Sequence, residues 1–313
     1  MRPEYYADLF RRYNVFVKDH TADKIARVAC GPNADDYGWT DVLMQRAGPR
    51  LQSLSLHYYA LAAPDWNAQR GPATGFPARE WFAQLHRAMK MEEIVSRHVA
   101  IMDRHDPQKK VGLVVDEWGS WYDTEPGTNP GFLYQQNTLR GAIVAAVTLD
   151  IFHAHSDRII MANVAQTINV LQAMILTDKE RMLLTPTYHV FDLYGVHQDA
   201  TALPVGVSVP EYRQDNESIP SVHATASRDR AGHLHLSVTN LQLEQGGRVT
   251  VKLVGGTVGN VAGRVLTAPA LDAHNTFDAP DNVRPASFTA FQREGDALIL
   301  DLPAKSVVTV GLD

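Results

Sequence analysis

Cysteine is almost absent from this sequence: Cys30 is the only one in 313 residues, so no disulfide can form within the chain. No apolar run approaches the roughly 18 residues that a membrane span needs, and the first residues show no apolar signal-peptide core. Lys and Arg number 29 against 35 Asp and Glu, for a net charge of −6, which argues against nucleic acid or an anionic membrane as the main partner. We therefore expect a cytoplasmic protein that binds neither.

A metal-binding pattern is also lacking. His153, His155 and Asp157 lie close together in sequence, but residues two apart near a helix end do not share one helical face. Metal sites usually show more ligands at clearer spacing. A structural role is the better interpretation of these three residues, and we expect no metal and no other cofactor.

The most informative stretch is V-G-L-V-V-D-E-W-G-S-W-Y, at residues 111–122. Its first half is a short β-branched apolar run, typical of a strand buried on both faces in a parallel sheet. The run ends at Asp116 and Glu117, beside Trp118 and Trp121. Barrels of alternating strands and helices carry their active sites at the carboxyl ends of the strands, and a carboxylate there can attack a sugar. Alternatively, the two acids are solvated or cap the next helix.

Strands and helices alternate four times before residue 200, which predicts parallel βα units with right-handed crossovers. The predicted strands cover residues 24–30, 51–59, 111–115 and 158–162. The predicted helices cover residues 3–20, 35–47, 79–105, 133–153 and 187–194. A closed barrel of this kind needs eight strands, and only four are predicted here.

From about residue 200 the pattern changes to alternation at period two. It is clear in segments such as L-H-L-S-V-T-N, R-V-T-V-K-L-V and S-V-V-T-V-G-L, with turn residues between them. This pattern is typical of an antiparallel sandwich. We therefore predict an α/β plus all-β chain in two domains: a partial (β/α) barrel over residues 1–199, and an antiparallel β-sandwich over residues 200–313.

The motif V-V-D-E-W-G-S-W-Y resembles the nucleophile strand of glycoside hydrolase family 51, the α-L-arabinofuranosidases. Further motifs follow the order of that family, so the resemblance covers almost the whole chain. They are L-S-L-H-Y-Y at 54–59, M-A-N-V-A-Q-T-I-N-V-L-Q at 161–172, T-P-T-Y-H-V-F at 185–191 and the final D-L-P-A-K-S-V-V. The resemblance implies that the chain begins just after the fourth strand of a TIM-type barrel. Residues 1–199 are then the second, four-unit half of the barrel, followed by a jelly-roll-like sandwich.

The resemblance also implies the site residues. Glu117 matches the nucleophile of the family, while His57 and Tyr59 match its substrate-site histidine and tyrosine; from the residues alone, these two could instead form a core aromatic cluster. Trp121 matches an aromatic residue of the sugar-binding face, and Gln166 matches a glutamine that hydrogen-bonds the bound furanose. All are expected to line one cleft, because they lie at or just beyond the predicted carboxyl ends of strands.

A retaining glycosidase needs a second carboxyl group, roughly 5–5.5 Å from the nucleophile, to protonate the leaving oxygen. The family carries it in an Asn-Glu pair at the end of the fourth barrel strand. The one such pair here, Asn216-Glu217, lies among the β-strands and does not match. We therefore expect the acid/base to be absent from this chain. Asp116 is expected to be an orienting acid, and Cys30 a buried strand residue.

Three functions are compatible with these observations. The first, which we favour, is a retaining glycoside hydrolase that releases arabinofuranosyl residues from arabinofuranose-containing oligosaccharides of hemicellulose. The second is a carbohydrate-binding or vestigial protein that has lost catalysis, and the third is a truncated product that folds only by association. A half-barrel leaves its outer strands unpaired and an apolar face open, so we expect a homo-oligomer, most simply a two-fold dimer.

Overall fold

The computed structural model describes residues 1–64, 66 and 68–312. The chain forms two compact units that interleave along the sequence. The first consists of Met1–Tyr59, Lys90–Trp118 and His155–Val164, and the second of Ala60–Met89, Gly119–Ala154 and Ala165–Asp313. The predicted division at residue 200 follows the sequence pattern alone and stays a prediction.

A four-stranded sheet lies at the centre of the first unit, in the order β1-β2-β3-β4. Its strands are β1 (Val28–Ala29), β2 (Ser53–Ala60), β3 (Gly112–Ser120) and β4 (Ile159–Val164). β1 pairs with β2 in parallel, and so does β3 with β4. The predicted parallel sheet is therefore confirmed, with the strands adjacent in chain order.

The first strand is much shorter than the predicted residues 24–30. The backbone N–H of Ile25 donates to the Asp19 side chain at 2.9 Å, and that of Arg27 donates to the Gln52 side chain at 2.7 Å. These groups are therefore bonded to side chains instead of a strand ladder. Cys30 follows the strand and is exposed, so the expectation of a buried cysteine is wrong.

The helices of the first unit are α1 (Pro3–Asn14), α2 (Tyr37–Ala47) and the C-terminal part of α3 (Ala78–His105). The Asp36 side chain caps α2 by accepting from Trp39 N at 3.1 Å, as expected for an N-cap aspartate. α1 ends six residues before the predicted position 20. The side chains after its end, Val15 and Phe16, are 59% and 75% exposed, so no packing supports a longer helix.

The amino ends of β3 and β4 are joined by a buried arginine. Arg158 is fully buried and donates to Asp106 Oδ2 and to the carbonyl of Val111, both at 2.9 Å. It also pairs with Asp103. Asp106 in turn accepts from Val111 N at 2.8 Å, so one guanidinium ties the end of α3 to the starts of two strands.

The second unit contains an antiparallel sandwich. Its strands are β5 (Ile175–Asp178), β6 (Arg181–Leu184), β7 (Thr201–Leu203), β8 (Glu211–Gln214), β9 (Glu217–Pro220), β10 (Val222–Arg228), β11 (Leu234–Asn240), β12 (Gly247–Lys252), β13 (Val261–Leu266), β14 (Ala286–Phe288), β15 (Phe291–Glu294), β16 (Ala297–Leu302) and β17 (Ser306–Leu312). A six-stranded sheet has the order β14-β13-β17-β11-β10-β7, and a three-stranded sheet the order β12-β16-β15; β5-β6 and β8-β9 are separate hairpins.

The sandwich core follows the predicted period of two. Alternate residues of β16 and β17 point inward, and one buried cluster joins both sheets: Val222, Leu236, Val238, Phe288, Leu298, Leu300, Leu302, Val308, Val310 and Leu312. The predicted antiparallel sandwich is confirmed, because a strand that is apolar on one face can bury that face only against another layer.

The second unit also contains α4 (Leu139–Ala154) and α5 (Pro186–Tyr194). α4 begins later than the predicted residue 133, because Leu133 has a left-handed φ of 54° and ends a short 3-10 helix. Asp150 of α4 is buried and accepts from Tyr194 Oη at 2.7 Å, while His223 Nδ1 lies 3.0 Å from its other oxygen. In the described part of the chain, no helix is both long and apolar enough to cross a membrane.

Candidate active site

His57 and Tyr59 lie at the carboxyl end of β2, and their side chains leave the same face because they are two residues apart. The segment after β1 holds the backbone of His57: its N–H donates to Pro32 O at 3.3 Å, and its carbonyl accepts from Ala34 N at 2.8 Å. This close approach depends on Gly31, where an added Cβ would lie only 1.6 Å from a backbone oxygen of β2.

Asp116 and Glu117 lie at the corresponding end of β3. Adjacent residues of a regular strand point to opposite faces. The register between β3 and β4 shifts between Val115 and Trp118, so both acids lie in an irregular part of the ladder. Irregularities of this kind re-aim side chains, and here both carboxylates reach His57.

The carboxylate of Glu117 is held from two sides. Tyr59 Oη donates a hydrogen bond to Oε1 at 2.9 Å, and His57 Nδ1 lies 3.3 Å from Oε2. The other ring nitrogen of His57 lies 2.9 Å from Asp116 Oδ1. One imidazole therefore links two carboxylates, and in its protonated form it offsets their mutual repulsion.

The two carboxylates remain open to solvent. The side chains of Asp116 and Glu117 are 39% and 43% exposed, whereas Tyr59 is buried. Asp116 Oδ1 is itself shielded from solvent and accepts no hydrogen bond from the described residues, so its contact with His57 is not aligned as a hydrogen bond. Loosely aligned contacts of this kind are typical of catalytic groups before a substrate binds.

Tyr59 acts on Glu117 as a donor only. Burial raises the pKa of the Tyr59 hydroxyl, and its hydrogen bond to Glu117 raises that pKa further. The phenol therefore stays protonated at any physiological pH. Its bond orients one oxygen of Glu117 and leaves the other facing His57.

Trp121 belongs to the second unit, in the segment that follows β3. Its ring packs edge-to-face against Trp66, with 5.1 Å between centroids, and the Arg70 guanidinium carbon lies 4.6 Å from the Trp121 centroid. Trp66 is half exposed. Its only signal in the sequence is that it is a tryptophan in a loop rich in Pro, Gly and Ala. Trp118, in contrast, is fully buried in the first unit and belongs to the core.

Gln166 also belongs to the second unit, where it is exposed in the loop after β4. The expectation that Gln166 and Trp121 line one cleft with Glu117 stays a prediction. Sequence reasoning also misses Gln172, whose side-chain carbonyl accepts from Ser120 N and whose amide donates to Gly141 O at 2.8 Å. It holds the backbone that follows the acidic pair, and its one sequence signal is its place at the end of the 161–172 motif.

No group of three or more His, Cys, Asp and Glu side chains that could hold a metal is found in residues 1–64, 66 and 68–312. The members of the H-A-H-S-D segment each have a different partner. His155 Nε2 contacts Glu92 at 2.8 Å, and Asp157 pairs with Lys109. These contacts fit the structural role that the sequence predicts.

A cavity of about 1030 Å³ lies within the sandwich of the second unit. Its walls are mainly aliphatic, from residues such as Leu203, Val222, Leu236 and Val251, and the described residues that line it include no carboxylate. Glycoside hydrolysis needs carboxylates at the scissile bond. The half-exposed cluster at the ends of β2 and β3 is therefore the better candidate for chemistry.

The chain is similar to known proteins along its full length. It is 44% identical over 313 residues to a Bacteroides ovatus protein named intracellular exo-alpha-L-arabinofuranosidase, covering 100% of this chain and 60% of the relative. It matches the crystal structure of a GH51 arabinofuranosidase from Xanthomonas axonopodis pv. citri with a TM-score of 0.97 and 47% identity, covering 100% of this chain and 63% of that one. The chain thus spans about three fifths of the length of these relatives.

A more distant relative comes from Streptomyces lividans and is named intracellular exo-alpha-(1->5)-L-arabinofuranosidase. It is 24% identical to this chain, and the match covers 82% of this chain and 40% of the relative. The family described as alpha-L-arabinofuranosidase C-terminal domain matches residues 116–306, which begin at the acidic pair of β3 and include the sandwich. The resemblance to glycoside hydrolase family 51 is confirmed, and the chain belongs to the alpha-L-arabinofuranosidase C-terminal domain family.

Proposed function

We propose that this protein is a retaining glycoside hydrolase that releases arabinofuranosyl residues from arabinofuranose-containing oligosaccharides, with Glu117 as nucleophile. The observation that carries the proposal is the position of Glu117. It lies at the carboxyl end of a parallel strand, held by Tyr59 and His57 yet 43% exposed. The arabinofuranosidase names of the relatives support the substrate class.

In the proposed reaction, a Glu117 oxygen attacks the anomeric carbon while the bond to the leaving oxygen breaks. A general acid gives the leaving oxygen its proton, and water then attacks the glycosyl-enzyme ester, releasing arabinose and regenerating the carboxylate. His57 and Tyr59 position the carboxylate, with Asp116 orienting His57. Trp121 and Gln166 are proposed to contact the furanose or its leaving group.

The general acid is proposed to come from outside these 313 residues, because no Asn-Glu pair follows any parallel strand of this chain. In the same proposal, the four parallel strands are one half of a (β/α) barrel, and the sandwich is a jelly-roll-like domain that accompanies it. An aryl arabinofuranoside with a good leaving group needs little protonation. It should therefore be cleaved faster than arabinan.

The test is hydrolysis of an aryl α-L-arabinofuranoside by the wild-type protein and by Glu117→Gln, which keeps the shape of the side chain but removes its charge. We expect turnover to fall by at least about 10³-fold, since the covalent step is lost. Azide added to Glu117→Ala should restore release of the aryl alcohol and give an arabinosyl azide of inverted configuration. Near wild-type turnover of Glu117→Gln would refute the assignment of the nucleophile, whereas absence of turnover in the wild-type protein would favour the carbohydrate-binding alternative.

Assembly is part of the proposal. β1 and β4 are the outer strands of the parallel sheet, and β4 carries Ile160 and Met161, which are 62% and 51% exposed. Unpaired edges with apolar side chains favour pairing with another chain, most simply a second copy related by a two-fold axis. Sedimentation at micromolar concentration should give a species heavier than the 34.7 kDa chain; a clean monomer contradicts this. The names of the relatives support an intracellular location.

A further inference from the structure

Arg70 is held against two aromatic rings in the second unit. Its guanidinium carbon lies 4.6 Å from the centroid of Trp121 and 5.2 Å from that of Trp66. A guanidinium over an indole ring is attracted to the ring face, and its N–H groups still point outward around its edge. The two rings therefore fix the position of the cation.

The charge of Arg70 is not compensated by a salt bridge within the part of the chain that the structure describes. Among residues 1–64, 66 and 68–312, no carboxylate forms a salt bridge with Arg70, and its shielded Nε donates no hydrogen bond. Asp123, two residues after Trp121, accepts a hydrogen bond from the side-chain amide of Gln69, the residue before Arg70, at 3.1 Å. A half-buried donor without an acceptor is costly unless a ligand supplies one.

A second stacked arginine, Arg97, has a counter-charge among the described residues. In the first unit, Arg97 lies over the ring of Tyr37 at 4.0 Å, and it also pairs with Glu93 at 3.0 Å. Its charge is therefore already compensated on the same helix. Arg97 is a matched control for a role that depends on an unpaired, ring-supported guanidinium.

We propose that Arg70 binds the carboxylate of a uronic acid unit in the polysaccharide that carries the arabinose. This inference rests on the proposed function and names its substrate class: arabinofuranosides on an acidic backbone rather than a neutral one. A carboxylate matches the guanidinium fork with two parallel hydrogen bonds. The half-exposed ring of Trp66 offers an apolar face for the sugar beside that charge.

The position in sequence agrees with such a role. Trp121 follows the proposed nucleophile, Glu117, by four residues, in the loop that leaves β3. Arg70 reaches it from the loop that leaves β2. Loops after the carboxyl ends of parallel strands determine substrate choice in barrel enzymes. A cation fixed there selects for a negative charge on the part of the substrate that does not react.

Calorimetric titration with galacturonate, galactose and acetate at fixed ionic strength tests the proposal without any turnover. We expect galacturonate to bind about tenfold more tightly than galactose to the wild-type protein, as one charge-assisted bidentate contact allows. Arg70→Gln should reduce this ratio to about one, and Arg70→Lys, which keeps the charge but loses the fork, should give an intermediate ratio. The matched control Arg97→Gln should keep the tenfold ratio.

Three results would overturn the proposal: no preference for galacturonate in the wild type, an unchanged preference in Arg70→Gln, or acetate binding as tightly as galacturonate, which indicates a simple anion site. The proposed hydrolysis is tested separately, by turnover of a neutral aryl arabinofuranoside. If the wild-type protein does not hydrolyse the aryl arabinofuranoside but still prefers galacturonate, the proposed hydrolase activity is refuted and Arg70 remains part of a saccharide-binding site. If the protein hydrolyses the aryl arabinofuranoside but shows no preference for galacturonate, only the role of Arg70 is refuted.

Discussion

The two ends of the parallel sheet use the same chemistry for different purposes. At the amino end, Arg158 is fully buried and compensated by Asp103 and Asp106. At the carboxyl end, the groups that contact Asp116 and Glu117 leave both side chains about two fifths exposed. The first arrangement joins strands to a helix, whereas the second keeps two carboxylates accessible.

The difference lies in how far each charge is exposed to solvent. Arg158 makes hydrogen bonds to two carbonyls as well as to carboxylates, so the cost of its burial is offset on several sides. At the other end, Asp116 Oδ1 accepts no hydrogen bond from the described residues. Arg158 Nε has no hydrogen-bond partner among the described residues either, so the two ends differ mainly in exposure. A buried charge held between two carboxylates is closed to a substrate, while a half-exposed one is available for chemistry.

The largest effect is expected from removing the buried arginine at the amino end of the parallel sheet. Arg158→Met removes the cation and leaves Asp106, whose side chain is 13% exposed, without its charged partner. We expect the free energy of unfolding to fall by about 3 kcal/mol or more, measured as a lower urea midpoint. Arg104→Met is the control, because the Arg104 side chain is 68% exposed in its pair with Asp41 and its loss should cost less than about 1 kcal/mol. Equal losses in both variants would contradict the comparison.

The same pair predicts a dependence of stability on pH. Burial opposes ionisation of Asp106, but the hydrogen bond from Val111 and the pairing with Arg158 outweigh it and lower its pKa. Its contribution to stability is therefore fully present above the unfolded pKa of about 3.9 and is lost as pH falls through the lower folded pKa. As the pH is lowered from about 4, the free energy of unfolding should fall less in Arg158→Met than in the wild type. If stability falls equally in both proteins below about pH 4, Asp106 is not the group that causes the pH dependence.

The sequence predicts the carboxyl end better than the amino end. An apolar run that stops at Asp116 and Glu117 indicates a buried strand with acids at its exit, and the spacing of His57 and Tyr59 places them on one face. The role of Arg158 has no such signal, because its partners are distant in sequence and burial of an arginine depends on tertiary packing.

Local irregularity is the second thing that the sequence does not reveal. Regular alternation would send Asp116 and Glu117 to opposite faces, and only the register shift in β3 lets both meet His57. The short β1 has a similar cause, since the side chains of Asp19 and Gln52 take the N–H groups that a longer strand would use. In both cases a tertiary contact overrides the periodicity of the sequence.

The next largest effect concerns the hydroxyl that orients Glu117. Tyr59→Phe keeps the ring and removes the 2.9 Å hydrogen bond to Oε1. We expect the activation free energy for hydrolysis of an aryl arabinofuranoside to rise by about 1.5–3 kcal/mol, the usual range for a hydrogen bond to a charged group. The effect should be in kcat more than in KM. Tyr13→Phe, at a residue that is 64% exposed on α1, should change neither, and a similar loss there would indicate a general structural effect.

A smaller effect separates the two acids. Asp116 contacts His57, whereas the hydroxyl of Tyr59 donates to Glu117. Asp116→Asn should therefore lower kcat by less than about tenfold, as expected for an orienting group one step from the reacting atoms. The matched change Asp157→Asn, at the amino end of β4, should have no effect on kcat. If Asp116→Asn abolished turnover as completely as Glu117→Gln, the assignment of a single nucleophile would have to be revised.

The smallest effect reads the charge at the carboxyl end directly. Although Cys30 is an exposed residue, partial burial of its thiol raises the pKa of that group, and the negative charge of Asp116 raises it further. Only the thiolate is alkylated, and Cys30 is the only cysteine, so the rate of iodoacetamide labelling below that pKa reports the thiolate fraction of one group. Asp116→Asn removes a negative charge that opposes ionisation. The thiol pKa should then fall, and labelling at pH 7.5 should become about twofold faster. The control Asp157→Asn should leave the rate unchanged. An equal rate in all three proteins would show that the charge of Asp116 does not influence the ionisation of Cys30.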